Sequence, residues 1–323
     1  MAVSTTSLPP FVQALGDGIH AIDTDFHRPR FDAAYLIVED GHAAFIDTGT
    51  TYTVPRLLVT LAALGLPVSA VDWVIVTHVH LDHAGGAGAL MQELPNARLV
   101  VHPRGERHMV NPLALLMSAR GVYGAEEMAN SYGKVVPVPR ERVHKSDDGM
   151  SIHLAGRPLQ LIDTPGHARH HHCIWDERTR GFFTGDTFGL SYREFDTARG
   201  PWLLPTTTPI QFDPEALRQS VRRMLSFEPQ RLYLTHYGCV ENVPVLGEMM
   251  LSQIDEMVAL AEPLRDAIDR HTRLRQALAD MYLRRSRAHG CTFTDNETLT
   301  LLAMDIELNA QGLGVWLDES KAT

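Results

Sequence analysis

A chain of 323 residues with 44% hydrophobic and 21% charged residues has the composition of an ordinary globular protein, long enough for one large domain or a domain with an appendage. A net charge of −10 with histidine neutral repels phosphate backbones and argues against a nucleic-acid partner. Three cysteines without CxxC spacing exclude a disulfide scaffold, no stretch reaches the roughly 18 apolar residues of a membrane span, and MAVSTTSLPPFVQALGDG lacks the basic and apolar regions of a signal peptide, so the cytoplasm is the expected compartment.

The first third predicts strands over 18–23, 33–38 and 42–47, the last two joined at Glu39-Asp40-Gly41 as a hairpin. A helix follows over 54–64, ending at Gly65, and then the apolar, β-branched strand 71–77. HVHLDHAGG reads as a loop that enters a helix at about Ala84, with another strand at 98–101. The alternation predicts layered α/β packing. Residues 103 to about 134 mix Met109, Met117, Met128, Tyr123 and Tyr132 with Gly and Ala. They predict a helical insert, as a packing element or a lid. Strands resume at 151–154 and 158–163, and TPGHARHHHCIW and GFFTGDTF each combine a strand edge with a polar loop. The Pro/Thr-rich 197–213 is an ordered loop, and Asp213 caps a helix over 214–227 with Pro214 at its first position. Arg231–Leu234 is the last core strand. Helices at 248–268, 272–289 and 296–309 follow, the first with a stripe of Met249, Met250, Ile254, Met257, Leu260, Ala261 and Leu264. The expected division is a catalytic domain over 1–245 and a helical appendage over 246–323, which covers the site or forms a homodimer face.

Seventeen histidines are many for this length, and the densest group is Thr77-His78-Val79-His80-Leu81-Asp82-His83. On an irregular loop at the end of a buried strand, His78 and His80 can converge on one ion while Asp82 and His83 turn toward a neighbouring one. Gly85 and Gly86 let the backbone turn tightly behind them. Imidazoles with a carboxylate suit zinc, iron or manganese, not the oxygen shells of calcium or magnesium. His167, Asp186 and His236 each sit where a later strand emerges, so all can reach one edge of a sheet sandwich. Each is weak evidence alone; with the HxHxDH loop they form a pattern. Asp186 has the two oxygens needed to bridge two ions.

Phe45-Ile46-Asp47-Thr48-Gly49, THVHLDHAGG, DTPGH, TGDT and LTH resemble, in order, the five motifs of the metallo-β-lactamase superfamily, over about residues 18–240. The resemblance implies an αββα sandwich and a dinuclear site of two divalent transition-metal ions, zinc in preference to iron or manganese. His78, His80 and His167 would hold one ion, Asp82, His83 and His236 the other, and Asp186 both. Asp47 would support the ligands without binding metal; His171, four residues after His167, either orients a ligand or is a packed core histidine. A bridging hydroxide would then attack an ester-like carbonyl, with Asp82 and Asp186 as the catalytic carboxylates. The Asp82-His83 pair is similar to the glyoxalase II, lactonase and quinolone-signal-response thioesterase branches. The basic glutathione-binding residues of the first and the lactonase-type tyrosine of the second have no counterpart here.

The expected reaction is hydrolysis of a small-molecule thioester, lactone or related carboxylic ester. Phosphodiester cleavage is an alternative that calls for more basic pocket residues. Di-iron redox chemistry resembles an HxExDH pattern that this chain lacks. A binding or regulatory protein with vestigial activity is a third alternative, against which all seven ligand positions are filled. Candidate substrate contacts are His102, Tyr192 and Arg193; the cysteines are bystanders.

Overall fold

The computed structural model describes residues 7–208 and 210–320. The reading of the first six residues as free of a leader, and Pro209 of the ordered loop, lie outside them. The chain gathers into two compact units: Met1–Asp163 with His170–Gly185 and Gln230–Cys239, and Thr164–Arg169 with Asp186–Pro229 and Val240–Thr323. The second unit thus takes up two loop-bearing segments besides the helices expected from residue 246.

In the first unit, strands β1 (Val12–Gly16), β2 (Ile19–Asp23), β3 (Ala33–Glu39), β4 (His42–Ile46), β5 (Val71–Ile75), β6 (Arg98–Val101) and β7 (Val143–Lys145) form one sheet in chain order. The β3–β4 hairpin turns at Asp40 and Gly41, both with positive φ, the conformation that a two-residue turn matched to strand twist demands. From β4 to β7 all neighbours are parallel. Their carboxyl ends therefore share one rim, and Asp47, His78 and His102 follow the ends of β4, β5 and β6 there. The second sheet has the order β13-β12-β11-β10-β9-β8, from β8 (Ser151–Leu154), β9 (Arg157–Asp163), β10 (His172–Asp176), β11 (Gly181–Gly185), β12 (Arg231–Leu234) and β13 (Gly238–Glu241). β11 and β12 are parallel.

Alternation along the strands explains two apolar layers. Tyr35, Ile46, Ile75, Leu161, Ile174, Phe183 and Tyr233 fill the space between the sheets. Phe45, Val74 and Leu99, on the other face of the first sheet, pack with Leu57 and Leu61 of α1 (Val54–Ala63) and Leu90 and Met91 of α3 (Ala87–Glu93). Each such side chain contributes about 1.5–3 kcal/mol on burial. Between these helices lies the one-turn α2 (Leu81–Ala84). The helix expected over about 84–93 is α3, which begins three residues later at Ala87, and Asp82 and His83, expected in the loop, lie in the separate one-turn α2. The insert consists of α4 (Glu106–Val110), α5 (Leu113–Tyr123), α6 (Ala125–Glu127) and a wide turn over Met128–Tyr132. β1, β7 and β13 are short strands that the sequence pattern does not signal.

The second unit holds α7 (Pro214–Leu225), α8 (Val243–Ala261), α9 (Arg270–His289), α10 (Asp295–Leu301) and α11 (Ala303–Glu319). Asp213 caps α7 by accepting from the Glu215 and Ala216 amides, both at 3.0 Å. α8 starts five residues before the expected position, with Pro244 in its first turn, where a missing N–H costs nothing. In the apolar stripe of α8, Met250, Ile254, Met257 and Ala261 are buried within the chain. α11 runs to Glu319 instead of stopping at Asn309.

Candidate metal centre

Asp47 organises the rim of the first unit. Its residue sits at φ 55°, a left-handed conformation rarely adopted by a residue with a side chain, and the buried carboxylate accepts from four directions. Its oxygens take the Thr77 amide at 2.8 Å, the Thr77 hydroxyl at 2.9–3.0 Å, the Thr235 hydroxyl at 3.1 Å and His83 Nδ1 at 2.7 Å. One side chain thereby ties the end of β4 to the ends of β5 and β12 and to α2.

These bonds fix tautomers. A carboxylate only accepts, so His83 Nδ1 carries the proton, and in the neutral ring Nε2 presents a lone pair. His236 Nδ1 donates to the Phe31 carbonyl at 3.0 Å, with the same result. Both Nε2 atoms then face one oxygen, Asp82 Oδ2, at 3.6 Å from His83 and 3.5 Å from His236. The ligand atoms of Asp82, His83 and His236 all lie within 4.8 Å of one another. Two lone pairs aimed at a carboxylate oxygen, too far for a hydrogen bond, are an arrangement that a cation among them satisfies. The three residues fit a divalent transition metal in donor type as well.

Thr77 continues the chain of contacts: its hydroxyl donates to Asp47 and accepts from His78 Nδ1 at 3.1 Å. His78 Nε2 is left as a lone pair, 2.7 Å from His80 Nδ1. His171 stacks on the His78 ring at 4.8 Å, while His170 meets His80 edge-on at 5.6 Å and His108 of the insert at 6.3 Å. Gly185 has φ 47°, and a Cβ there would lie 2.5 Å from His171 Nε2 and 2.7 Å from Thr77 Oγ1. Glycine is thus required where β11 passes under the histidines. Asp82, 22% exposed in its side chain, and His80 are the half-buried members of the HxHxDH group, which opens to solvent on their side.

In the second unit His167 and Asp186 form a pair with the same logic. His167 Nδ1 donates to the Thr206 carbonyl at 3.1 Å, so the lone pair of Nε2 points at Asp186 Oδ2, 3.3 Å away. Gly166 allows the turn before His167 to lie against α7, where a Cβ would meet the Leu217 backbone within 2.5 Å.

The other expected residues have definite partners. His102 Nε2 lies 3.1 Å from Asp163 Oδ1, beside a small cavity of about 100 Å³ lined also by Ser146 and His172. Tyr192 is buried and gives its hydroxyl to Asp305 of α11 at 3.1 Å. Arg193 is folded back onto the Ser191 carbonyl at 2.8 Å. Cys173 is buried in β10, its thiol 3.3 Å from the Thr184 carbonyl.

Sequence reasoning passed over three residues. Asp32 is fully buried next to the carbonyl that holds His236, and burial pushes its carboxyl up to about 7. Thr77 and Thr235 each end a strand beside a ligand histidine. Their hydroxyls were visible in THVH and LTH as neighbours of candidate ligands, but their shared acceptor lies far along the chain.

Residues 27–236 match the family model described as the metallo-beta-lactamase superfamily. Among curated proteins, a metallo-beta-lactamase fold-containing protein of Sulfurisphaera tokodaii, ST1585, is 24% identical over 242 residues, 73% of this chain and 84% of the relative. The hydroxyacylglutathione hydrolase of Aeromonas hydrophila is 30% identical over 161 residues, 49% of this chain and 48% of its own length, so the match spans about half of that relative. Among solved structures, the archaeal superfamily protein ST1585 superimposes with a TM-score of 0.64 at 23% identity, covering 92% of this chain and 98% of that one. The metallo-beta-lactamase family protein TTHA1429 of Thermus thermophilus gives 0.62 at 23% identity, over 79% and 85%. These structures share the fold.

Proposed function

This chain belongs to the metallo-β-lactamase superfamily and is a metal-dependent hydrolase, and from that premise we propose that it cleaves a thioester, lactone or related carboxylic ester at a site of two divalent ions. His78, His80 and His167 are the proposed ligands of one ion, Asp82, His83 and His236 of the other, with Asp186 serving both. Zinc is the proposed metal, since imidazole-rich sets suit it.

The observation that carries this reading is the tautomer set. His83, His236 and His167 each spend Nδ1 on a protein acceptor and turn the Nε2 lone pair toward a carboxylate. Metal-binding histidines are oriented in this way by their other ring nitrogen. Divalent ions bound there supply Lewis acidity to a substrate oxygen and lower the pKa of a coordinated water. The chain's own residues do the rest. Asp47 holds His83, and through Thr77 it holds His78. His171 backs His78. Asp82, half-buried in its cluster, would accept a proton from an attacking water. No side-chain nucleophile is called for. The apolar insert suits an apolar acyl group, and the relatives named hydroxyacylglutathione hydrolase support a carboxylic ester class over a phosphodiester.

The partner we propose is a small ester-like molecule. No helix among the described residues is long and apolar enough to cross a membrane. A homodimer through the C-terminal helices would use faces other than the α8 stripe, which the chain itself buries.

A panel of acyl-CoA thioesters, acyl-homoserine lactones and bis(nitrophenyl) phosphate, assayed with zinc-loaded protein, tests the reading. Turnover of a carboxylic ester or thioester, abolished in His80→Ala, is expected. Turnover confined to the phosphodiester, or unchanged in His80→Ala, would overturn it.

A further inference from the structure

We infer that helix α11 is a brace for His167, with Asn309 as its positioning residue; this rests on the proposed role of His167 as a ligand. Asn309 is buried, and its side-chain amide is engaged at every atom that can bond. Oδ1 accepts from the Thr207 amide at 2.7 Å, and Nδ2 donates to the Pro205 carbonyl at 3.2 Å and to the Tyr282 hydroxyl of α9 at 2.7 Å. The two backbone contacts bracket Thr206, the residue whose carbonyl accepts from His167 Nδ1 at 3.1 Å. One amide therefore sets the position and tilt of the peptide that fixes the His167 ring.

A second contact on the same face of α11 leads to the same loop. Gly312, one turn beyond Asn309, lies so close to it that a Cβ would land on Thr207 Oγ1 and 2.5 Å from the Thr208 carbonyl oxygen. Thr208 Oγ1 in turn lies 3.2 Å from the His167 carbonyl. The loop over 205–208 is thus held to α11 on one side and to both ends of His167 on the other. A polar amide in a helix core is costly to bury unless fully bonded. Here every bond it makes converges on this loop and on the helix behind it. The helical region is in this account part of the metal-site architecture: it determines whether one of the two ions is held tightly.

The test is a cobalt(II) titration of metal-free, full-length protein, followed by visible absorbance, for the wild type, His167→Ala, Asn309→Leu and Asn309→Asp. The wild type is expected to bind two equivalents and His167→Ala to lose one. Asn309→Leu should weaken that same equivalent about tenfold or more, the usual cost of removing a ligand's outer support, and leave the other unchanged. Asn309→Asp keeps the acceptor for the Thr207 amide and should recover part of the affinity. If Asn309→Leu does not fold, Gly312→Ala, which disturbs the second contact between α11 and the same loop, carries the same expectation. Equal weakening of both equivalents, or unaltered cobalt binding by a folded variant, overturns the brace. If His167→Ala still binds two equivalents, the ligand assignment of His167 falls, and the brace with it, whatever Asn309 does.

Discussion

Asp47 is the residue on which the rim of the first unit turns. Its two oxygens serve donors from Thr77, Thr235 and His83, so its removal leaves several buried polar groups without an acceptor. Asp47→Ala is expected to lower stability by several kcal/mol, at about 1–3 kcal/mol for a buried donor left without its acceptor. It should also weaken metal binding 10–100-fold through loss of ligand orientation. Urea unfolding and a metal-competition titration check the two numbers separately. His172 gives a pH signature. Burial lowers its pKa to about 3, against 6.5 for the free side chain, so the unfolded chain takes up a proton that the folded chain refuses. Its contribution to stability is whole above pH 6.5 and is lost as pH falls toward 3, by about 1.4 kcal/mol per unit. His20, His27 and His108 are shifted down by burial too and add in the same direction. Urea midpoints at pH 7 and pH 4.5 should differ less in His172→Gln than in the wild type; an equal difference would contradict the assignment. At this scale the HxHxDH residues were legible because ligand residue types at that spacing are rare. Tyr192 was not, since its partner Asp305 lies on a helix far along the chain and no local pattern announces it.

The eleven-residue α5 has no buried residue although it reads LALLMSARGVY, with Leu113 and Met117 largely exposed. Elsewhere in the insert, α4 buries Met109 and the turn over Met128–Tyr132 buries Tyr132. Replacing 113–123 with a short Gly/Ser linker should therefore cost only about 1–3 kcal/mol, chiefly through Leu115, which packs partly against the core. If the insert contacts substrate, KM for long-chain acyl esters should rise several-fold while short-chain esters are unaffected. Steady-state kinetics across chain lengths decides this, and an equal effect at all lengths would reduce the insert to a packing element. Asp213→Ala should cost about 1 kcal/mol through loss of the α7 cap, measured by thermal unfolding. Long, strongly patterned elements were readable: the β3–β4 hairpin, β5, α7 and α9 lie close to where the pattern puts them. The short β1, β7 and β13 carry too few residues for a period to register. The break between α10 and α11 falls at Leu302, which bears no helix-stopping signal.

For the molecule as a whole, the layered α/β fold could be read from the order of strands and from motifs at strand ends, because parallel strands bring their carboxyl ends to one rim. The compact units could not, since residues 164–169 join the second unit through contacts such as that of Gly166 with α7, which follow from the folded path and leave no mark in local composition. In the proposed site seven side chains, drawn from segments between residues 78 and 236, hold two ions. Elemental analysis of protein purified without chelators and dialysed against metal-free buffer measures this most directly. Two equivalents of transition metal per chain are predicted, falling to one in His236→Ala. A chain that retains no transition metal, or a His236→Ala variant that retains both equivalents, would contradict it.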